Sequence, residues 1–322
     1  MSRGSDERQY GNLLMTITLL TAFLQATRPR TYPLALVGIL VANALAFSRL
    51  ESFTPQNWQI FFLSMWVALG LQILSNLAND YGDGIRGTDN HRLDRQISQG
   101  NLKPQTLKHL IKIWAAFIFA CGVGLLWLSF DRLSEFLTFL AFGVIAIIAA
   151  VTYTMGKRPY GYQAKGEIAV FIFFGLLNVL GGLYLQTQYI GTTDIIAAIT
   201  IGLLCTCVLM INNMRDIDND ILTGKQTLAT RLGKENMGHL YRIILLAAYF
   251  LVFTFSLLQQ NFYLVSLIII INPVFKHLKT IRQYSDETIQ PAQLSAQLKQ
   301  IILITLITSA LMSLSIVQTN HL

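Results

Sequence analysis

Only 17 of the 322 residues are Asp or Glu, yet seven of them fall in two short stretches: Asp80, Asp83, Asp89 and Asp94, then Asp216, Asp218 and Asp220. The first stretch reads Asn76-Leu-Ala-Asn79-Asp80-Tyr-Gly-Asp83, and the second Asn212-Asn-Met-Arg215-Asp216-Ile-Asp218-Asn-Asp220. On a helix, Asn76, Asp80 and Asp83 share one face at i, i+4 and i+7. Asn212, Asp216 and Asp220 do the same at i, i+4 and i+8. Carboxylates stacked in this way repel, and more strongly where the dielectric falls, so a counter-charge is required. Mg²⁺ suits that role, because it binds one or two carboxylates, keeps several waters and takes up substrate phosphates. Two such sets facing one cavity predict metal ions held by Asp80, Asp83, Asp216 and Asp220, with Asn76 and Asn212 as further candidate ligands, jointly clamping a diphosphate.

Cations able to meet diphosphate oxygens accompany both clusters. Arg215 precedes Asp216 directly and Lys225 follows in Gly224-Lys225-Gln-Thr227, while Tyr153-Thr-Met-Gly-Lys157-Arg158-Pro-Tyr160-Gly-Tyr162 supplies two more. Arg pairs phosphate bidentately and Lys as a point charge. With Asn76, Asn79, Arg86 and Asn212 beside the carboxylates, these form the candidate diphosphate-binding set. Gly224-Lys225 lacks the upstream glycine and preceding strand of a P-loop. No HExxH or Gly-x-Ser-x-Gly occurs, and none of the five histidines has a partner at ligand spacing.

The elements that must position these residues follow from composition. Hydrophobic residues make up 53% of the chain and charged ones 13%, with a mean hydropathy of +0.50. Soluble domains carry about twice that charged fraction, so an ordinary soluble enzyme, a disordered chain and a nucleic-acid binder are excluded. Cys121, Cys205 and Cys207 lie in apolar runs without a disulfide or metal-binding spacing. A membrane crossing takes about 20 apolar residues, and only helices satisfy their backbone there at such lengths. Nine runs qualify, near 32–49, 58–78, 111–130, 134–153, 167–187, 194–213, 240–258, 262–280 and 300–318. With these spans, 22 of the 24 Lys and Arg residues fall on one side, Arg49 and Arg132 being the exceptions. The positive-inside rule then places the N-terminus and the long loops in the cytoplasm and the C-terminus opposite. The expectation is an all-α, multi-pass protein with nine transmembrane helices in one domain over 28–322. Residues 1–27 precede it as a cytoplasmic segment whose 12–26 stretch imitates a signal peptide but reads better as an interfacial helix. Gly175, Gly181 and Gly182 in the fifth span suit close helix packing.

These residues carry a resemblance. The two Asp-rich motifs, at the cytoplasmic ends of the second and sixth of nine helices, resemble those of the UbiA superfamily of intramembrane aromatic prenyltransferases, and Tyr153…Lys157-Arg158 is similar to its third, basic loop. Gln72–Asp83, Arg28-Pro-Arg-Thr31, Arg158-Pro-Tyr-Gly-Tyr162, Asn212–Ile217 and Lys225–Gly233 resemble the branch that prenylates 1,4-dihydroxy-2-naphthoate in bacterial menaquinone synthesis. The resemblance implies a UbiA-like fold in the bacterial inner membrane and Mg²⁺-dependent transfer of a chain from polyprenyl diphosphate to dihydroxynaphthoate, with loss of diphosphate and CO₂. It implies substrate-binding roles for Arg28, Tyr153 and Tyr162 beside the diphosphate set, contact with membrane lipid, and no nucleic-acid or obligate protein partner. The step from Asp80 to Asp83 is three residues where much of the superfamily uses four, which leaves Asp89 as a candidate third carboxylate. Lys157 matches the hydroxybenzoate branch better, so 4-hydroxybenzoate or another aromatic compound stands as the alternative acceptor. A cation transporter, the rival from another class, predicts carboxylates near the midplane on broken helices, unlike clusters at one surface.

Overall fold

The computed structural model describes residues 20–88, 95–259 and 268–318; Asp89 and Asp94 lie outside them. The chain is a bundle of long helices: α1 (Tyr32–Arg49), α2 (Pro55–Arg86), α3 (Pro104–Ser129), α4 (Leu133–Thr152), α5 (Gly166–Thr187), α6 (Thr192–Arg215), the short α7 (Ile217–Leu222), α8 (Leu228–Leu258), α9 (Ile268–Ser285) and α10 (Leu294–Gln318). Pro at the first turn opens α1, α2 and α3, where its missing N–H costs nothing. Reciprocal caps fix two other starts: the Thr54 hydroxyl receives the Asn57 N–H while Asn57 Oδ1 receives the Thr54 N–H, and Thr227 and Thr230 do likewise.

Among the described residues, eight helices are long and apolar enough to cross a membrane. The expected ninth crossing, 262–280, begins in residues outside the described set. Its described part is α9, where Lys276, His277, Lys279 and Arg282 dilute the apolar run. Contacts between chain-distant ends gather at two faces. On one, Arg86 reaches the Thr154 and Gly156 carbonyls, Asn219 reaches the Thr88 carbonyl, and the Tyr284 hydroxyl reaches the Met214 carbonyl. On the other, Asn57 pairs with Gln186, Gln56 with the Leu128 carbonyl and Arg49 with Asp194.

α6 is the central helix. It packs against α5, α8 and α10 and buries most of its length, including Thr200 and Thr206, whose hydroxyls bond back to the Ile196 and Gly202 carbonyls. α4, by contrast, rests on α2 and α3 and buries Ala146 alone. Between Phe171 and Gly181, α5 is wound as a π-helix, rare at such length. Gly175 meets α6 there: a Cβ on it would stand 2.4 Å from Gly202 Cα, so the two backbones touch. Gly182 packs more loosely, against the Ala42 and Ile39 side chains, 3.0 and 3.1 Å from such a Cβ, and Gly181 has ordinary room.

Of the expected interfacial helix, 12–19 lie outside the described residues and 20–26 are helical. Ala22 and Ala26 are buried in a cluster with Leu74, Leu77 and Leu107, and Leu20 and Leu24 are exposed. The turn that follows is clamped by α2: Asn76 Nδ2 donates to the Thr27 carbonyl at 2.8 Å and to Thr31 Oγ1 at 2.9 Å, and Gln72 Nε2 to Thr31 Oγ1 at 3.0 Å.

Candidate active site

The last turns of α2 and α6 open on one cavity of about 390 Å³ that runs into the bundle. Asn76, Asn79 and Asp83 line it from α2; Asn212 and Asp216 line it from the end of α6, and Asp220 from α7. Arg28, Arg30, Arg95, Tyr153 and Lys225 complete its polar end.

Each carboxylate has a distinct environment. Asp83 is buried, accepts a hydrogen bond from the Tyr162 hydroxyl at 2.8 Å, and stands 3.8 Å from the Arg95 guanidinium. Asp216 is gripped bidentately by Arg215, Nε to Oδ1 at 2.8 Å and Nη2 to Oδ2 at 2.6 Å, and the same Nη2 reaches Asn212 Oδ1 at 2.9 Å. Asp220 is buried 4.0 Å from Lys225 Nζ. Burial pushes the Asp220 carboxyl up to about 7; Lys225 opposes this, while Asp216 and Asp83 add to it. Asp218 faces outward, half-exposed, 3.3 Å from Lys234. Asp80 is buried but turned from the cavity, both its oxygens receiving the Gln96 N–H at 3.2 Å; it braces the turn that carries Arg95.

The basic loop after α4 divides. Tyr153 lines the cavity, and its phenol is pushed well up by burial, with Glu167 adding to the shift. Tyr162 holds Asp83, and its ring carries the Lys225 ammonium and the Arg86 guanidinium, each 5.2 Å from its centroid. Arg86 itself is committed to the carbonyls of Gly82, Thr154 and Gly156, and so fastens the loop to α2. Lys157 and Arg158 are exposed and do not line the cavity. Sequence reasoning missed Arg30, Arg95, Asn213 and Asn219, all cavity-lining. Asn219 bonds the Thr88 carbonyl at 2.8 Å and so joins the two acidic motifs. Its place beside Asp218 and Asp220 was the available signal.

Among the described residues, no three His, Cys, Asp or Glu side chains form a metal site by themselves. That suits a cation completed by substrate phosphates and water. Among the described residues, Asn79 Oδ1, on the cavity wall, is a buried acceptor with no hydrogen-bond partner. The carboxylates of Asp83, Asp216 and Asp220 with an unsatisfied amide oxygen beside them fit Mg²⁺.

A model of the UbiA prenyltransferase family matches residues 35–299. The chain belongs to the UbiA prenyltransferase family. The 1,4-dihydroxy-2-naphthoate octaprenyltransferase of Haemophilus influenzae is 38% identical over 299 residues, 91% of this chain and 94% of that one. The Escherichia coli enzyme of the same name is 40% identical over 243 residues, 74% of this chain and 78% of that one. Two solved structures share the UbiA fold. A digeranylgeranylglyceryl phosphate synthase superposes with TM-score 0.60 at 16% identity, covering 93% of this chain and 99% of its own. A UbiA homologue from Archaeoglobus fulgidus bound to GPP and Mg²⁺ gives 0.58 at 13%, covering 92% and 99%.

Proposed function

We propose that this enzyme transfers a polyprenyl chain from polyprenyl diphosphate to 1,4-dihydroxy-2-naphthoate, releasing diphosphate and CO₂ and giving demethylmenaquinol. The observation that carries the reading is the convergence of Asp83, Asp216, Asp220 and Lys225 on the polar end of an otherwise apolar cavity inside a membrane bundle. The allylic C–O bond breaks with its electron pair going to diphosphate, a C–C bond forms to the electron-rich ring, and the acceptor's carboxylate departs as CO₂. Asp83, Asp216 and Asp220 with Asn79 would hold Mg²⁺, which would supply charge stabilisation to the leaving group. Arg28, Arg30, Arg95 and Lys225 bind diphosphate oxygens around it. Arg215 and Tyr162 keep Asp216 and Asp83 aimed, as preorganised electrostatics requires. Asp80 and Asn76 act behind them, on the 95–97 and 27–31 turns. Tyr153 faces the acceptor, and the apolar walls exclude the water that would otherwise capture the allylic carbon.

The relatives' shared acceptor favours dihydroxynaphthoate. The protein is set in the bacterial cytoplasmic membrane with the site and N-terminus cytoplasmic and the C-terminus opposite, and residues 28–322 make up one domain. The test offers purified protein Mg²⁺, a polyprenyl diphosphate, dihydroxynaphthoate and 4-hydroxybenzoate together, and reads products by mass. A prenylated, decarboxylated naphthoquinol is expected, abolished by EDTA and reduced about 10²–10³-fold in Asp83→Ala and Asp220→Ala. Prenyl-hydroxybenzoate as the product refutes the acceptor, and EDTA-resistant turnover refutes the metal.

A further inference from the structure

Glu167 is a buried carboxylate outside both acidic motifs. It stands in the first turn of α5, 6% exposed, and does not itself line the cavity. Asn213 Nδ2 donates to its Oε1 at 2.8 Å, and Asn213 does line the cavity, 5% exposed, near the end of α6. Only the NH₂ end of an amide can serve a carboxylate, so the amide oxygen of Asn213 is turned from Glu167. Among the described residues that oxygen has no hydrogen-bond partner. Asn213 follows Asn212 by one residue, a rotation of about 100° around α6, and its amide is tied to α5 rather than to a carboxylate of either motif. Leu209, one turn earlier on the same face, lines the cavity as well. Gly166 adds a third wall: a Cβ on it would come 3.0 Å from the Tyr153 hydroxyl and 3.2 Å from Leu209 Cδ2. Tyr153 and Asn213 therefore flank one stretch of the cavity at the start of α5.

We propose that Asn213 is a binding residue for the aromatic acceptor, its amide oxygen receiving a ring hydroxyl, and that Glu167 is the positioning residue that keeps this oxygen turned to the cavity. The inference rests on the acceptor proposed above and deepens it. The ligand's chemistry follows from the atom on offer. An amide oxygen only accepts, so it cannot serve diphosphate oxygens, which are acceptors themselves. The isoprenoid tail carries no donor either. Of the two substrates, only dihydroxynaphthoate has hydroxyls to give. A hydroxyl that donates to the amide is polarised toward its own oxygen, which enriches the ring for attack on the allylic carbon. Without Glu167 the Asn213 amide is free to turn over and present NH₂ where its oxygen stood.

The test uses full-length protein in lipid nanodiscs with Mg²⁺ and farnesyl S-thiolodiphosphate, a donor slow to ionise. Dissociation constants for this donor, for dihydroxynaphthoate and for 2-naphthoate, which lacks both hydroxyls, are measured for the wild type, Asn213→Leu, Glu167→Leu and the double variant. The double variant exchanges a buried polar pair for two apolar side chains of similar size, a change that buried sites tolerate. Wild type is expected to bind dihydroxynaphthoate about tenfold or more tightly than 2-naphthoate. Asn213→Leu is expected to shrink that ratio about fivefold or more, and Glu167→Leu to shrink it in the same direction. The double variant falls no further than Asn213→Leu, because Glu167 acts through Asn213. Donor affinity stays at the wild-type value throughout. A ratio unchanged in either single variant, losses that add in the double variant, or donor affinity falling alongside the acceptor's overturns the assignment. A wild type that keeps the ratio yet forms no prenylated naphthoquinol from octaprenyl diphosphate refutes the proposed reaction instead, while the ratio still decides Asn213.

Discussion

Lys225 and Lys157 carry the same charge on loops that lie close together, and they have opposite surroundings. Lys225 lines the cavity, 4.0 Å from Asp220 and over the Tyr162 ring, whereas Lys157 is exposed to solvent. Removing an exposed charge costs little, so Lys157→Ala is expected to keep near-normal turnover. Lys225→Ala, which takes a charge-assisted contact from the diphosphate end, is expected to lose about tenfold or more in kcat/KM. Initial rates over a donor concentration series check the pair; equal losses would put Lys157 in the site as well. The acidic positions were legible from sequence, because helical spacing stacks them on one face in a chain poor in acid. Which carboxylate faces the cavity was not legible. Asp80 and Asp83 differ through Gln96 and Tyr162, partners set by how two loops fold over the end of α2. Arg95 escaped notice because the positive-inside bias accounts for any single cytoplasmic arginine.

At the level of elements, the site depends on how closely the end of α2 approaches the loop after α4. A Cβ on Gly82 would lie 2.5 Å from the Thr154 carbonyl oxygen, and the Thr154 hydroxyl bonds back to the Ala78 carbonyl at 2.9 Å. The obstacle is backbone rather than a flexible side-chain tip. Gly82→Ala is therefore expected to destabilise the fold by about 1–3 kcal/mol, read as a lower melting temperature in detergent, with weaker activity because Tyr153 and Tyr162 ride on the displaced loop. An unchanged melting temperature would show that the loop yields freely. Eight of the nine expected crossings were readable from apolar run length, as the bilayer demands. The π-winding of Phe171–Gly181 was not, since hydropathy over an all-apolar run reports no change of pitch. Nor was the early start of α8 at Leu228: its first turns are polar, and Gly233 interrupts them at φ 76°.

For the whole molecule, the sequence assigns 22 of the 24 basic residues to the side that carries the acidic motifs, and this asymmetry sets the proposed orientation. Cysteine introduced at Lys157 is expected to react with a membrane-impermeant thiol reagent only from the cytoplasmic side, and cysteine at the exposed Tyr189 only from the other. Of the native thiols, Cys205 and Cys207 are buried and interfere little, and the partly exposed Cys121 is replaced by Ala beforehand. Labelling in the reverse sense would invert the topology. The contrast between α6, enclosed by protein, and α4, which leans on two neighbours and turns the rest of its surface outward, has a consequence beyond packing. Part of the reaction chamber is walled by a helix whose outer support is acyl chain. Membrane fluidity thereby becomes a material property of the catalyst itself, and a cell that remodels its fatty acids with temperature retunes this chamber without changing a residue.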